Sequence, residues 1–260
     1  MDVFWLEQSE TDVPEQDDWL SPDEFGALSL LQFVKRRTER RLGIWTAKRA
    51  LAPCLTPPLS VASLARLEIR HAPSGVPEVF FDDKPVAVTI SLSHSNGKAI
   101  CAIAPPAVRL GCDLEKTQPH SNAFMTDYFT SEEQWLVGRH FSPDRPWFVT
   151  LLWSAKESAL KALGEGLRLD TRCVVVRPVE AAFDLSGWSP LQVRHTAGEI
   201  FHGWWQRTDG MVRTLVAVPA PASPIRLNIA DDFRPRYQAR PAAPMKSGGD
   251  LHNRALRQKA

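Results

Sequence analysis

The stretch TISLSHSNGKAICAIAPPAVRLGCDLEK, residues 89–116, is the key to the architecture. Val88, Ile90 and Leu92 alternate with Thr89, Ser91 and Ser93, the period of a strand with two unlike faces. Asn96-Gly97 follows, a dipeptide suited to a two-residue hairpin turn because both of its members tolerate positive φ. AICAIA returns as a second strand, Pro105-Pro106 turns the chain again, and VRLGCDLE reads as a third. The expectation is an antiparallel meander. On its third strand Val108, Leu110, Cys112 and Leu114 share one face, and Arg109, Gly111, Asp113 and Glu115 the other.

On the N-terminal side, residues 25–51 (FGALSLLQFVKRRTERRLGIWTAKRAL) predict one helix of good formers without proline, ended by Pro53, Pro57 and Pro58. On the C-terminal side, residues 130–140 predict a short helix capped by Thr130 or Ser131, with Glu133 in its first turn. Pro146 opens a longer helix that Gly164 and Gly166 close. Strands then return in RCVVVRP, LQVRHT, EIFHGWWQRT and MVRTLVAVP, with Asp209-Gly210 as a hairpin turn. Helix, meander, helix, meander is an α+β pattern of two similar halves, although no sequence repeat proves them related. The expected division is an acidic segment over 1–24, halves over 25–116 and 117–219, and a loosely ordered Pro/Ala/basic tail over 220–260. The acidic start and basic tail are expected to be solvated ends.

The 260 residues are 43% hydrophobic and 23% charged with a net charge of +1, which gives no global field for nucleic acid. Four scattered cysteines without a C-x-x-C pair read as buried thiols in a reducing compartment. Neither a secretory leader nor an apolar run of about 20 residues is apparent, so the expectation is a cytoplasmic protein.

Asp113 and Glu115 project together, about 7 Å apart at the backbone. Alone they repel, and a hard divalent cation such as Mg²⁺ removes the conflict. The plain alternative is a solvent-facing acidic strand. The helix after Pro146 is apolar nearly all round, with a polar stripe at Thr150, Ser154, Glu157 and Lys161. Glu157 and Lys161 can simply pair at i,i+4. Alternatively, Glu157 completes a carboxylate triad with Asp113 and Glu115, and Lys161, with Lys156 near it, faces a phosphate. Three acids about a metal with lysines beside them suit phosphoryl chemistry. His94 also reads as an edge histidine, and the KRRTERR run as a solvated helix face. That same basic run would equally hold a polyanionic nucleotide.

SLSHS, GCDLEK and WSAKESALKALGEGL, in this order and spacing, resemble the 4′-phosphopantetheinyl transferase superfamily, in its long single-chain type that activates peptide and polyketide synthetases. The resemblance covers roughly residues 25–219. It implies a pseudo-twofold fold, each half a meander packed with helix, with coenzyme A bound between the halves. It implies transfer of the phosphopantetheine arm to a serine of an apo acyl or peptidyl carrier protein, with release of adenosine 3′,5′-bisphosphate. By the same resemblance Asp113, Glu115 and Glu157 hold Mg²⁺. Glu157 and Lys161 act in catalysis, and Lys35, Arg40, Ser93, His94, Lys156 and Lys161 contact the cofactor. A monomer without nucleic-acid or membrane partners is expected. Val76 stands where relatives often carry a basic turn residue, so one phosphate contact is either missing or supplied by Arg70 or Lys84. The rival readings are a metal-dependent phosphohydrolase and a non-catalytic coenzyme A- or carrier-binding module.

Overall fold

The computed structural model describes residues 1–55, 58–140, 143–179 and 187–229. Twelve strands are described in chain order: β1 (Phe4–Ser9), β2 (Leu67–His71), β3 (Pro77–Phe81), β4 (Lys84–Pro85), β5 (Thr89–Ser95), β6 (Lys98–Ala104), β7 (Arg109–Lys116), β8 (Val174–Pro178), β9 (Ser189–His195), β10 (Ile200–Thr208), β11 (Met211–Val218) and β12 (Ile225–Arg226). Five α-helices accompany them: α1 (Pro22–Ser29), α2 (Val34–Leu51), α3 (Asn122–Tyr128), α4 (Ser131–Gly138) and α5 (Arg145–Ala162).

The strands form a sheet of order β12-β1-β6-β5, a second of order β7-β11-β10-β9-β8, and a small β2-β3-β4 sheet. The mixture of helix and largely antiparallel sheet is the expected α+β class. Alternation along the strands divides the interior into layers. Phe4, Leu6, Cys101 and Ile103 face Ala47, Ala50 and Leu51 of α2. Their neighbours Trp5, Ile100 and Ala102 meet Leu110, Cys112, Leu114 and Leu215 of the second sheet. The far side of that sheet, through Val193, Phe201, Val212 and Val216, packs on Leu152, Ala155 and Ala159 of α5. Helix, sheet, sheet, helix is therefore the layer order, with one apolar core at each of three junctions.

Four expectations need correction. The meander stops after two strands: β5 and β6 pair as a hairpin, but β7 leaves for the second sheet and pairs antiparallel with β11. Pro105 and Pro106 followed by Ala107 at φ 64° turn the chain away from β6, so β7 joins the second sheet rather than the first. The single helix over 25–51 is two, because the Ser21–Glu24 capping box starts α1 at Pro22 and the chain re-enters helix only at Val34. The first residues are not a solvated end: β1 lies between β6 and β12 with Val3 and Leu6 almost wholly buried. Finally, β12 takes residues 225–226 of the expected tail into the first sheet, and the tail from 230 lies outside the described residues. The helix expected over 130–140 is α4, with the Thr130–Glu133 capping box in place. The expected start and stop of α5 at Pro146 and Gly164 also hold, the latter at φ 74°.

Gly111 sets how closely the long helix approaches the second sheet. A Cβ built there would lie 1.8 Å from the Ser158 carbonyl oxygen and 2.9 Å from the Ala162 nitrogen. Only a residue without a side chain lets α5 cross β7 this closely. Ser154 and Ser158 fix the crossing by hydrogen bonds of 2.9 and 2.7 Å to the Thr214 hydroxyl on β11.

Candidate active site

Where α5 crosses β7, one turn of helix brings Glu157 and Lys161 over the carboxylate face of the strand. The Lys161 ammonium donates 2.8 Å to Asp113 Oδ1 and 3.1 Å to the Cys112 carbonyl. Ser93 Oγ, reaching across from β5, donates 2.7 Å to the same Oδ1. Asp113 is buried, and among the described residues its Oδ2 has no hydrogen-bond partner. Glu115 accepts from Trp153 Nε1 at Oε1 and from Ser95 Oγ at Oε2, both at 3.3 Å.

The electrostatics reflect this crowding. Burial, then the Asp113 charge, pushes Glu157 up to about 7, against the opposing pull of Lys161. Glu115 rises to about 7 for the same two reasons in the same order, opposed by the Trp153 hydrogen bond, the Lys161 charge and Ser95. Burial alone would lower Lys161, but Asp113 above all, with Cys112 and Glu157, holds it above its ordinary value. Three acids thus crowd one ammonium.

Among the described residues no three carboxylate, histidine or cysteine side chains converge tightly enough to form a ready-made metal cage. The donor set nevertheless fits a hard cation. It offers a buried carboxylate oxygen without a partner among the described residues and two further acids whose burial and repulsion by Asp113 favour taking up positive charge, as proton or as metal.

Two cavities open beside this cluster. One of about 850 Å³ lies between the β2–β3 turn, β5, β7 and the end of α5, and its wall includes His71, Val76, Ser91, Arg109, Lys161 and Arg168. Another of about 490 Å³ is lined by Arg36, Arg40, His71, Leu92, Ser93 and His94. They share His71 and Leu92, so the walls run on from one to the other. Desolvation and the Arg40 charge hold His71 below its usual range. Ser93, His94, Arg40 and Lys161 therefore stand along one groove. Lys35 stands apart: it projects into solvent, 86% exposed, 3.8 Å from Glu39, and lines a separate hollow that reaches Glu115.

Lys156 is not brought to the site. It is fully buried, 2.8 Å from Glu133, and donates to the Thr171 and Val174 carbonyls, so the expected cofactor contact is corrected to an internal anchor. One residue along a helix turns the side chain by about 100°, enough on a buried helix to send the neighbouring charges of Lys156 and Glu157 to different partners. Arg70 is paired with Glu68 and Asp83, and neither it nor Lys84 lines the large cavity. The basic groups that do are His71, Arg109, Lys161 and Arg168. Arg168 escapes sequence reasoning because nothing local marks it; a basic residue two positions after the Gly164–Gly166 helix stop is the only signal in the sequence.

Comparison with known proteins bears on the same elements. Residues 109–207 match the family model of the 4′-phosphopantetheinyl transferase superfamily. The chain is similar to 4′-phosphopantetheinyl transferase Svp of Streptomyces mobaraensis, with 35% identity over 149 residues, 53% of this chain and 59% of that protein. The match thus spans about three fifths of the relative's length. The family-model match, residues 109–207, takes in β7 and α5 together, so the segment that carries both elements is similar to the 4′-phosphopantetheinyl transferase superfamily.

Proposed function

We propose that the protein transfers the 4′-phosphopantetheine arm of coenzyme A to a serine of an apo acyl or peptidyl carrier protein, releasing adenosine 3′,5′-bisphosphate. The observation that carries this reading is the meeting of Asp113, Glu115, Glu157 and Lys161 beside a groove lined from both halves.

Asp113, Glu115 and Glu157 would hold Mg²⁺, which when bound supplies positive charge against the pyrophosphate. Lys161 holds its own charge toward the same phosphate, where charge builds as the bridging oxygen departs. Glu157, whose proton affinity lies near neutrality, accepts the proton of the incoming serine hydroxyl, directly or through a water. Arg40, Ser93 and His94 line the part of the groove that suits the nucleotide phosphates. Arg168 and His71 take the place of the basic turn residue that Val76 replaces. The groove then fixes donor and acceptor together, lowering the entropic part of the barrier.

The test is incubation of the purified protein with coenzyme A, Mg²⁺ and a panel of apo carriers, read by intact mass. Addition of one phosphopantetheine arm to a carrier is the expected result. Nucleotide hydrolysis over an unmodified carrier would replace transfer with phosphohydrolase activity, and binding without either product would leave a binding module. Glu157→Gln is expected to lower the transfer rate about 10²–10³-fold, with an unchanged circular dichroism spectrum.

A further inference from the structure

β5 and β7 are the edge strands of two different sheets, and they face each other without belonging to a common ladder. What joins them is a row of serines. On β5, alternate residues 91, 93 and 95 are all serine, so the three hydroxyls share one face. Ser91 Oγ accepts the Cys112 N–H at 2.9 Å, and the Cys112 thiol returns a bond to the Ser91 carbonyl at 3.1 Å. Two residues on, Ser93 Oγ donates to Asp113. Two further, Ser95 Oγ donates to Glu115 Oε2 and accepts the Lys116 N–H at 3.3 Å. Side-chain hydroxyls thus do along this seam what backbone groups do inside a sheet, and the last rung ends on a carboxylate of the site.

The other oxygen of Glu115 is held from the opposite direction. Trp153 lies on α5, one turn before Glu157, and its indole N–H donates to Glu115 Oε1. The ring is itself fixed edge-on against Phe124 and Tyr128 of α3, with centroids 5.1 Å away in each case. A half-buried carboxylate next to Asp113 has reason to turn outward toward water. Two neutral donors from two different elements oppose that turn, and neither brings a charge that would compete with a cation.

We propose that Ser95 and Trp153 are positioning residues for Glu115: each pins one carboxylate oxygen, so that Glu115 faces Asp113 and Glu157 before any metal arrives. The proposal rests on the metal role of Glu115 given under Proposed function. It makes the seam between the sheets part of the metal site without either residue touching the ion.

The experiment is titration of the purified full chain with Mn²⁺, following the free-ion electron paramagnetic resonance signal, for wild type, Glu115→Gln, Ser95→Ala, Ser95→Thr and Trp153→Phe. Near-ultraviolet circular dichroism verifies folding. Ser95→Ala and Trp153→Phe are each expected to weaken Mn²⁺ binding about 10-fold or more, and Ser95→Thr, which keeps the hydroxyl, to restore it. In transfer assays both variants should recover kcat at high Mg²⁺ while needing more Mg²⁺ for half-maximal rate, a separation that a general loss of structure does not produce. If Ser95→Ala binds Mn²⁺ as tightly as wild type while Glu115→Gln does not, the positioning role is overturned and the metal reading stands. If wild type fails to bind Mn²⁺, or Glu115→Gln binds it normally, the metal role of Glu115 is overturned and the positioning role with it. Should Trp153→Phe fail to fold, the Ser95 pair alone decides between these outcomes.

Discussion

Adjacent residues on α5 have opposite fates. Glu157 feels the charges of Asp113 and Lys161, whereas Lys156 is sealed beneath the helix on Glu133. Removing one member of a buried ion pair strands the other, at a cost of about 3–5 kcal/mol. Lys156→Ala should therefore lower the unfolding free energy by about that amount, with no change in KM for coenzyme A in protein that remains folded; a raised KM at unchanged denaturant midpoint would return Lys156 to the groove. Acidity gives a second prediction. Glu115 and Glu157 titrate near 7 when folded, against an ordinary 4.5, so the folded state binds protons more tightly than the unfolded chain between those values. Stability of the metal-free protein is then highest below about pH 4.5 as far as these two groups decide it, and falls as pH rises through 7. Melting curves from pH 5 to 8 should show that decline, and Glu157→Gln should flatten it. The carboxylates were legible in the sequence because strand alternation is a local property. Which lysine would join them was not, because a helix that is apolar on all sides gives no sign of which buried face holds the partner.

Among elements, the crossing of α5 over β7 governs the site, and it depends on Gly111. A methyl group there meets the Ser158 carbonyl at a distance no real contact tolerates, with helix backbone on the far side rather than a flexible chain. Gly111→Ala should push α5 outward, lift Lys161 off Asp113, and cost transfer activity more than 10²-fold together with about 1–3 kcal/mol of stability; near-normal turnover would show that the crossing is looser than described. The turns, caps and proline start of these elements were legible in the sequence. The Asn96-Gly97 hairpin, the Thr130–Glu133 box and Pro146 are signals contained within a few residues. The pairing of β7 with β11 was not legible, since its partner lies about a hundred residues on and both neighbours of β7 offer apolar strands. The gap between α1 and α2 is hidden because Leu30, Leu31 and Phe33 look helical. Only Glu24, tied at once to Ser21, Lys48 and the Ile69 N–H, sets α1 on its own course.

Across the molecule, one fastening appears twice. In the first half a buried glutamate closes the cap of a short helix, pairs with a buried lysine of the long helix, and accepts a strand N–H: Glu24, Lys48 and Ile69. In the second half Glu133, Lys156 and Val176 repeat it. Each half thus carries its own internal anchor. The two meet through the sheet-to-sheet core, the partly buried Arg213–Glu7 pair and the serine seam. Hydrogen exchange should accordingly find α2 and α5 among the slowest amides and the Cys112 and Lys116 amides, which donate to serine hydroxyls, exchanging earlier; uniform protection across the seam would contradict this. The first sheet also depends on distant partners. The Met1, Val3 and Trp5 carbonyls accept the amides of Ala222, Ile225 and Leu227. A ribosome must therefore have made nearly all the described chain before the outer edge of β1 is covered. Until then the growing polypeptide presents an open strand to its surroundings, and its dependence on chaperones during synthesis should be greatest in that interval.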